Sequence, residues 1–537
     1  MRFLLIITVS ICTIFLADGP GSLSFETLVS RLPIVGSDGD NDCTIMVISG
    51  SATTDGRPIL WKSRDVTRPD QKFRYISPQE SYNGTTYGFN GNFYAEDSYR
   101  CYMGVNEVGF AIINANCYNL PDNRKDGLDD GDIMRLALEW CEDIKDWEEL
   151  LAVTSIYGRK DGWMFGVMDV SGEAKLYECG NIDYTVYDAN NPTDAPDGLI
   201  VRSVFGFSGW NTDRGLLRYR RARFLANNRI SEQPFDINYI LGTMVRDFSL
   251  TCHTESPYYP YPLPYYGHQG DLPVGFVNTD ETINRYKTRS CSIIRGVLPD
   301  EDPKLATTYA MLGQPVLSLA IPLWVASQTV PSCLHSGNQA PWYSIIEDRM
   351  EELYPLGGDN SELYMDSHYL LDSTGAGIFS WAYDFENWGL DQAEQYLELW
   401  REHGYGLLDV RQAQDDISSV LWDGFSNNGD TLRYMDIAEN NLPDKIGHYN
   451  YPNPFNASTT ICFNTPAGTK TDRISVNIYT VLGARIANLG EVDIANGNGR
   501  VIWDGRDDSG NTVAAGIYFY KVEGPGYAET GKMLFLK

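Results

Sequence analysis

The strongest constraint on the fold is a change of pattern near residue 440 of the 537-residue chain. Before that point, strand-like runs such as 43–49 alternate with amphipathic segments, which predicts a layered α+β unit over 43–440. After it, short alternating strands with turns about every 8–12 residues predict an all-β sandwich over 449–537. The chain can bury a sizeable core, because 43% of its residues are hydrophobic.

Within the first unit, apolar residues recur at helical spacing in several segments. The first follows Asp132 and carries an apolar face that extends to Ile144, and the second begins at Asp146 with a capping-box pattern. The Tyr- and Pro-rich run 258–266 is interpreted as a surface loop or pocket wall, in preference to a ligand for an aromatic groove. Further helices are predicted at 214–227, 237–247, 344–354, 390–402 and 409–422.

The charge balance excludes two classes of partner. Lys and Arg together number 42 against 72 Asp and Glu, which gives a net charge of −30. Nucleic acids and anionic membrane surfaces need a basic footprint, so neither is expected to bind. The six His residues show no paired-ligand spacing, and no metal centre or cofactor is predicted. The acidic cluster Asp504, Asp507 and Asp508 is interpreted as a hairpin turn, with a calcium site as the alternative.

The N-terminus has the features of an export signal. Met1 and Arg2 precede an apolar run that ends at Ala17, which is short for a membrane span. We interpret residues 1–17 as a signal peptide, with a short N-terminal anchor as the alternative. Residues 18–42 read as a pro-segment that ends in an accessible Asp- and Gly-rich loop. No later run reaches the ~18 apolar residues of a spanning helix, so no transmembrane span is expected in the mature chain.

Cysteine parity leaves an unpaired thiol. Ten cysteines less Cys12, which lies in the signal peptide, leave an odd number in the mature chain. At least one of these cannot pair within the chain. They are spread along the sequence without CxxC spacing, which indicates neither a zinc knuckle nor a compact disulfide scaffold.

Four spaced motifs in the C-terminal unit resemble the C-terminal sorting domain of type IX secretion. They are 451–466, 476–489, 503–511 and 515–524. The resemblance implies an Ig-like fold and the type IX secretion machinery as a partner. It also implies export across the outer membrane of a Gram-negative bacterium, followed by release or surface attachment. A general Ig-like adhesion module is the alternative.

Cys43 is the candidate nucleophile. It opens a strand directly after the predicted pro-segment, so cleavage between Asp42 and Cys43 would make it the new N-terminus. Its free α-amino group, with a pKa near ~7.7–8, could then act as general base for its own thiol. This activation needs no His. The structural alternative is a cysteine in a disulfide or buried in a strand.

Further motifs in the first unit resemble N-terminal-nucleophile (Ntn) amide hydrolases of the penicillin acyltransferase and bile salt hydrolase group. They are the Cys-Thr start, the basic-x-x-Asp motif at 62–65, the G-x-N-E-x-G hairpin at 104–109 and the arginine-bearing segment 218–221. Residues 291–324 also resemble later strands of these enzymes and of related secreted dipeptidases. The likeness covers about 43–430 and implies a four-layer αββα sandwich.

The resemblance also implies roles for individual residues. Asp65 would hold the Cys43 ammonium, Asn116 would donate to the oxyanion, and Arg218 would stabilise negative charge near the nucleophile. The alternatives are a turn carboxylate for Asp65, a turn residue at a strand end for Asn116 and a surface residue for Arg218. Lys62 stands where the family more often has Arg.

A second set of residues is assigned to substrate binding. Lys62 or Arg64 would hold the thiolate or a substrate carboxylate. The family carries another Asn after a later strand, and this chain has none there. Arg202 or Ser203 would supply the missing donor, unless the backbone does so.

The sequence therefore predicts a secreted amidase that cleaves linear C–N amide bonds through a Cys43 acyl-enzyme. Its substrate would be a small-molecule amide or a short peptide. Three alternatives remain open: an acyltransferase of the same fold, a secreted dipeptidase, and a surface binding protein that has lost activity.

Overall fold

The chain divides into two compact units, Met1–Gly429 and Asp430–Lys537. The computed structural model describes residues 42–81, 84–121, 127–249, 275–356, 364–372, 376–428, 448–451, 455–456, 458–464, 473–481, 483–493, 498–524 and 527–536. Four predicted features lie outside the described residues: the signal peptide, the pro-segment up to residue 41, the Tyr-rich run 258–266 and the change of pattern near residue 440.

The strands of the first unit are β1 (Thr44–Ile48), β2 (Ile59–Asp65), β3 (Gln71–Ile76), β4 (Glu80–Ser81), β5 (Gly84–Thr85), β6 (Phe89–Tyr94), β7 (Met103–Asn106), β8 (Ala111–Asn116), β9 (Trp163–Met168), β10 (Ala174–Cys179), β11 (Tyr184–Asp188), β12 (Leu199–Arg202), β13 (Phe276–Asn278), β14 (Thr288–Arg295), β15 (Thr307–Leu312), β16 (Ile321–Trp324) and β17 (Tyr364–Asp366). Its α-helices are α1 (Asp130–Trp140), α2 (Ile144–Tyr157), α3 (Leu216–Glu232), α4 (Ile237–Tyr239), α5 (Ser332–His335), α6 (Pro341–Leu353), α7 (Ala382–His403) and α8 (Leu407–Ser426). Short 3₁₀ turns lie at Gly50–Ala52, Pro303–Leu305, Pro315–Leu317, Val325–Ser327, Ser367–Tyr369 and Ile378–Ser380.

Two large antiparallel sheets organise this unit. The first has six strands in the order β12-β1-β2-β14-β15-β16, and the second has seven in the order β11-β10-β9-β8-β7-β6-β3. Every pairing within them is antiparallel. The predicted mixed α/β class is confirmed at this level.

Helices cover the outer face of each sheet. Met46 of β1 shares a core with Ala222 of α3 and Leu390 of α7, while Phe165 of β9 shares another with Trp147 of α2. The inner faces of the two sheets contact each other, because a Cβ on Gly166 of β9 would meet the Val47 side chain at 2.8 Å. The layers are therefore helix, sheet, sheet and helix.

The start of α2 differs from its prediction. The helix begins at Ile144, because the Asp143 side chain accepts a hydrogen bond from the Asp146 backbone N–H at 2.9 Å. Ile144 therefore belongs to α2 rather than to the preceding helix, which ends at Trp140. The helix predicted over 237–247 is also shorter: α4 passes into a π turn at Ile240–Met244.

The hairpin at 104–109 has a structural role. The Asn106 side chain accepts from the Phe110 backbone N–H at 2.9 Å and donates to the carbonyl of Cys141 at 2.9 Å. Gly109 has a φ of +83°, and a Cβ there would meet Val170 at 2.4 Å. This hairpin therefore joins β7 and β8 to the segment that follows α1.

The second unit is all β. Its strands are β18 (His448–Tyr451), β19 (Phe455–Asn456), β20 (Thr459–Asn464), β21 (Arg473–Thr480), β22 (Arg485–Asp493), β23 (Asn498–Trp503), β24 (Gly516–Gly524) and β25 (Tyr527–Leu536). They form a three-stranded sheet, β18-β20-β23, and a five-stranded sheet, β19-β25-β24-β21-β22. Ile461 and Trp503 of one sheet share a core with Val476 and Tyr520 of the other. The Ig-like assignment stays a prediction.

The acidic cluster of this unit forms a turn. The Asp507 side chain accepts from the backbone N–H groups of Ser509 and Asn511, both at 2.9 Å. Asp508 accepts from the Asn488 N–H at 2.7 Å. The cluster therefore satisfies backbone groups, as the turn interpretation predicts. In the part of the chain that the structure describes, no helix is long and apolar enough to cross a membrane.

We predict that a chain ending at residue 447 keeps the fold of the first unit. Each unit has its own apolar core, so removal of the second should leave the first core intact. Far-UV circular dichroism and urea unfolding of the truncated and full chains test this. Loss of the cooperative transition in the truncated chain would show that the two units share stability.

Candidate active site

Asp42 and Cys43 direct their side chains to opposite sides of the first sheet. Thr44 pairs with Ser63 and Ile45 with Lys62, so Cys43 lies beside the end of β2. Cys43 is free and only 2% exposed. Because side chains alternate along an extended strand, Cys43 shares the inner face with Lys62, while Asp42 lies on the helix side.

Lys62 is the charged group beside the Cys43 thiol. Its ammonium donates to the carbonyl of Tyr102 at 2.9 Å and to the Asn114 side chain, which in turn donates to Asp130. Burial lowers the pKa of Lys62 to about 8. Burial raises the pKa of Cys43, and the positive charge of Lys62 opposes that rise.

Arg64 extends this inner-face arrangement. Its guanidinium donates to the Gln71 side chain at 2.6 Å. It also lies over the rings of Tyr94 and Tyr102, at 4.4 and 4.0 Å from their centroids. Its positive charge, like that of Lys62, opposes the rise in the pKa of Cys43 that burial causes. The tyrosine contacts hold Arg64 as a fixed positive charge behind the thiol.

On the helix side, Arg218 and Asp65 hold the backbone of Asp42. Arg218 Nη1 donates both to Asp65 Oδ2, at 2.9 Å, and to the carbonyl oxygen of Asp42. The Asp42 N–H donates to the carbonyl of Asp65 at 3.0 Å, and Thr288 donates to Asp65 Oδ1 at 2.7 Å. Burial raises the pKa of Asp65 to about 6, although the charges of Arg285 and Arg218 oppose it.

The Asp42 carboxylate binds two further arginines. Oδ1 receives a hydrogen bond from Arg214 at 3.1 Å, and Oδ2 receives one from Arg285 at 3.4 Å. Burial raises the pKa of Asp42. The positive charges of three arginines outweigh this effect and hold the pKa below its usual value: Arg218, Arg214 and Arg285. Asp42 was predicted to end an accessible loop, yet its side chain is only 21% exposed. The arginine contacts account for that burial.

Asn116 lies at the end of β8 and reaches this cluster through Tyr118. Its Nδ2 donates to the Tyr118 hydroxyl at 3.0 Å, while its Oδ1 is buried and accepts no hydrogen bond from the described part of the chain. Arg214 lies 3.6 Å above the Tyr118 ring. Asn116 is thus joined to Asp42 through Tyr118 and Arg214.

The two residues proposed to replace the missing Asn are differently placed. Arg202 pairs with Ile45 in the strand register, but its guanidinium donates to Glu178 at 2.8 Å and lies 3.7 Å from the Phe207 ring. Ser203 Oγ is buried and makes no hydrogen bond with any residue that the structure describes. Arg202 is therefore committed to an ion pair, whereas the Ser203 hydroxyl is available.

Three contributors to the cluster were missed from the sequence: Arg285, Arg214 and Thr288. Arg285 and Thr288 lie just before and at the start of β14, and no recognised motif includes them. A weak signal existed for Arg214, which precedes Arg218 by four residues, a spacing that can place side chains together.

Six other cysteines are also free and buried: Cys101, Cys117, Cys141, Cys179, Cys291 and Cys333. No disulfide is found among the side chains that the structure describes. Burial raises the pKa of Cys101 to about 11 and those of Cys179 and Cys291 to about 12. Such thiols stay protonated near neutral pH and react slowly. Within the described ranges there is also no group of His, Cys, Asp or Glu that could hold a metal ion.

Solved structures similar to the chain include a hydrolase and an acylase. A variant of conjugated bile acid hydrolase from Clostridium perfringens has 14% identity over 50% of this chain and 89% of its own, with a TM-score of 0.29. Penicillin V acylase from Agrobacterium tumefaciens has 15% identity over 52% and 86%, with a TM-score of 0.31.

A third similarity is confined to a short stretch. It covers 17% of this chain at 27% identity, with a TM-score of 0.13, and 12% of PorZ, a surface component of the type-IX secretion system of Porphyromonas gingivalis. No family profile and no curated protein matches the chain. Likenesses of this extent assign neither a family nor an activity.

We predict a pH-dependent stability term from Asp65. Its raised pKa means that the folded state binds the proton more tightly than the unfolded state, so stability is greatest below the unfolded pKa and falls as pH rises towards about 6. With cleavage prevented in both proteins by Cys43→Ala, the protein that keeps Asp65 should lose on the order of 3 kcal/mol relative to Asp65→Asn between pH 4 and pH 7. Urea unfolding of both proteins across this range measures the difference, and parallel stability curves would contradict the prediction.

Proposed function

We propose that this chain is a self-processing Ntn cysteine amidohydrolase. In this proposal it cleaves its own bond between Asp42 and Cys43, and then cleaves linear amides through a thioester on Cys43. The observation that carries the proposal is the hydrogen bond from buried Arg218 to the carbonyl oxygen of Asp42. That carbonyl belongs to the peptide bond between Asp42 and Cys43, which must break before Cys43 can become the N-terminus.

Self-processing follows as an acyl transfer from nitrogen to sulfur. The Cys43 sulfur adds to the Asp42 carbonyl carbon, and negative charge develops on the oxygen that Arg218 already binds. The C–N bond then breaks, and the Cys43 nitrogen leaves as an amine that takes up a proton. Water hydrolyses the thioester, which releases Asp42 as a carboxylic acid and restores the thiol.

Lys62 is the proposed base for this first reaction, because the α-nitrogen of Cys43 is still an amide. With a pKa of about 8, a substantial fraction of Lys62 is neutral in mildly alkaline solution. A neutral amine has two N–H bonds and one lone pair. The Tyr102 carbonyl and the Asn114 side chain accept hydrogen bonds from the two N–H groups, which leaves the lone pair to take up the thiol proton.

After processing, the new α-amino group takes over as base for substrate turnover. The thiol attacks the substrate carbonyl carbon, and the α-amine passes the thiol proton to the departing amine. Asp65 holds and orients the Cys43 ammonium. The Asp65 backbone N–H also donates towards the Cys43 sulfur, which favours the thiolate.

Asn116 is the proposed second donor to the substrate oxyanion. Rotation of its amide by half a turn lets Oδ1 accept from the Tyr118 hydroxyl and frees Nδ2. The same rotation would also give the buried Oδ1, which has no partner among the described residues, a hydrogen bond. Loss of one such donor typically costs ~10²–10³ in rate.

For the second unit, we propose a role in export rather than in catalysis. Its separate core and its sorting-domain motifs support this. The chain that ends at residue 447 should then be retained by cells that export the full chain through the type IX machinery.

We predict that Cys43→Ala abolishes cleavage between Asp42 and Cys43. Intact-mass analysis and N-terminal sequencing should find a chain beginning at Cys43 in the wild type and residues up to Asp42 still attached in the variant. Cys179→Ala is the matched control, because Cys179 is also free and buried but lies in the second sheet. A wild-type protein that hydrolyses amides with residues 18–42 still attached would overturn the proposed mechanism.

We predict that Arg218→Gln blocks processing by a mechanism separate from lost stability. Arg221, on the same helix, forms an equally buried pair with Asp247 at 2.7 Å. Removal of Arg221 breaks the buried pair with Asp247, and removal of Arg218 leaves Asp65 with the longer contact to Arg285 at 3.9 Å. Each variant should therefore lose stability in urea unfolding, by up to ~3–5 kcal/mol.

Only Arg218→Gln removes the donor to the Asp42 carbonyl, so only that variant should accumulate unprocessed chain. Processing that slows equally in Arg218→Gln and Arg221→Gln would show that Arg218 acts through folding alone.

A further inference from the structure

The Asp42 carboxylate occupies a binding site of its own. Arg214 and Arg285 each donate to a different oxygen of this carboxylate, while Arg218 binds the carbonyl of the same residue. Arg285 is 5% exposed and Arg218 1%, so both guanidiniums are shielded from water. Two guanidiniums on the two oxygens of one carboxylate form a specific anion site.

This site is held in place by contacts that do not involve Asp42. Arg214 lies 3.6 Å above the Tyr118 ring, and Arg285 forms an ion pair with Asp280 at 2.8 Å. The third arginine keeps the buried pair with Asp65 described above. When Asp42 departs, the guanidiniums therefore stay in position. Binding of a new ligand then carries no free-energy cost for ordering these side chains.

Nearby acids do not neutralise the site once Asp42 has left. Asp280 is 50% exposed and Glu281 38%, so solvent screens their charges. Asp65 is buried, but in the mature chain it also faces the new Cys43 ammonium. Loss of Asp42 therefore leaves positive charge on this side of the nucleophile.

The acyl part of a substrate would take the place that Asp42 leaves. During self-processing, Asp42 is the acyl group transferred to the Cys43 sulfur, and a substrate acyl group becomes bonded to the same atom. The Asp42 carboxylate is separated from its carbonyl carbon by two carbon atoms, as in any aspartyl residue. A succinyl group has the same separation.

Resting on the proposed function, we propose that the mature enzyme prefers amides whose acyl group carries a carboxylate two carbons from the scissile carbonyl. Arg214 and Arg285 bind that carboxylate. The thiol adds to the acyl carbon, the amine leaves with a proton, and water converts the thioester into the free dicarboxylic acid and the thiol. Asp42 is thus the last residue of the pro-segment, and it has the same spacing between carbonyl and carboxylate as the preferred acyl group.

The test compares two anilides on the processed full chain. Succinyl 4-nitroanilide and butyryl 4-nitroanilide have acyl chains of similar length and differ in the terminal carboxylate. We expect kcat/KM to favour the succinyl compound by about tenfold or more, since hydrogen bonds to charged groups contribute that much. Arg285→Gln and Arg214→Gln should each reduce the preference.

Arg223→Gln is the matched control, because Arg223 lies on α3 and pairs with Asp197 at 2.7 Å. It should keep the wild-type preference. If a variant fails to process, the same chain is produced from Met-Cys43 with removal of the methionine.

The outcomes separate this inference from the proposed function. Equal or faster cleavage of the butyryl compound would overturn the carboxylate subsite and leave the amidase intact. If neither anilide is cleaved, the amidase proposal fails, and calorimetric titration with succinate decides the subsite. Succinate binding that Arg285→Gln abolishes would support the subsite, and absence of binding would overturn it.

Discussion

The buried ion pair between Arg218 and Asp65 fixes the geometry on which the site depends. A buried guanidinium must be paired, and this one uses the same nitrogen for Asp65 and for the carbonyl of Asp42. Helix α3 is thereby joined to the end of β2 and to Asp42, two residues before β1. The position of the proposed scissile bond therefore follows from the packing of a helix on a sheet.

The local charge at this site is opposite to the charge of the whole chain. The net charge is −30, yet Arg214 and Arg285 bind the Asp42 carboxylate, and Arg218 binds the carbonyl oxygen of the same residue. Surface charges are screened over about 8–10 Å in physiological salt, whereas buried charges are screened far less. Net charge therefore limits which macromolecules approach the protein but does not predict what binds inside the site.

The sequence predicted elements well where the pattern is local and poorly where tertiary contacts decide. Strand β24 lies within the motif 515–524, in the region where short alternating strands were predicted, because its run is apolar and flanked by turns. Strand β6 was missed, since its buried Asn90 and Asn92 hide the apolar pattern of a strand covered on both faces. In the site, Cys43 and Asp65 follow from motifs, but Arg285 comes from a segment far along the chain that carries no motif. Only the pairing of β14 with β2 brings it to Asp42.

Strand geometry also separates the two functions proposed for the site, activation of the thiol and selection of the acyl group. Asp42 and Cys43 are neighbours in an extended segment, so their side chains lie on opposite sides of the sheet. Lys62 and Arg64 act on the thiol from the inner face, whereas Arg214 and Arg285 contact the acyl position from the helix side. A substitution in one group leaves the contacts of the other in place. The acyl preference of such a site can therefore change through the arginines while the surroundings of the nucleophile stay constant.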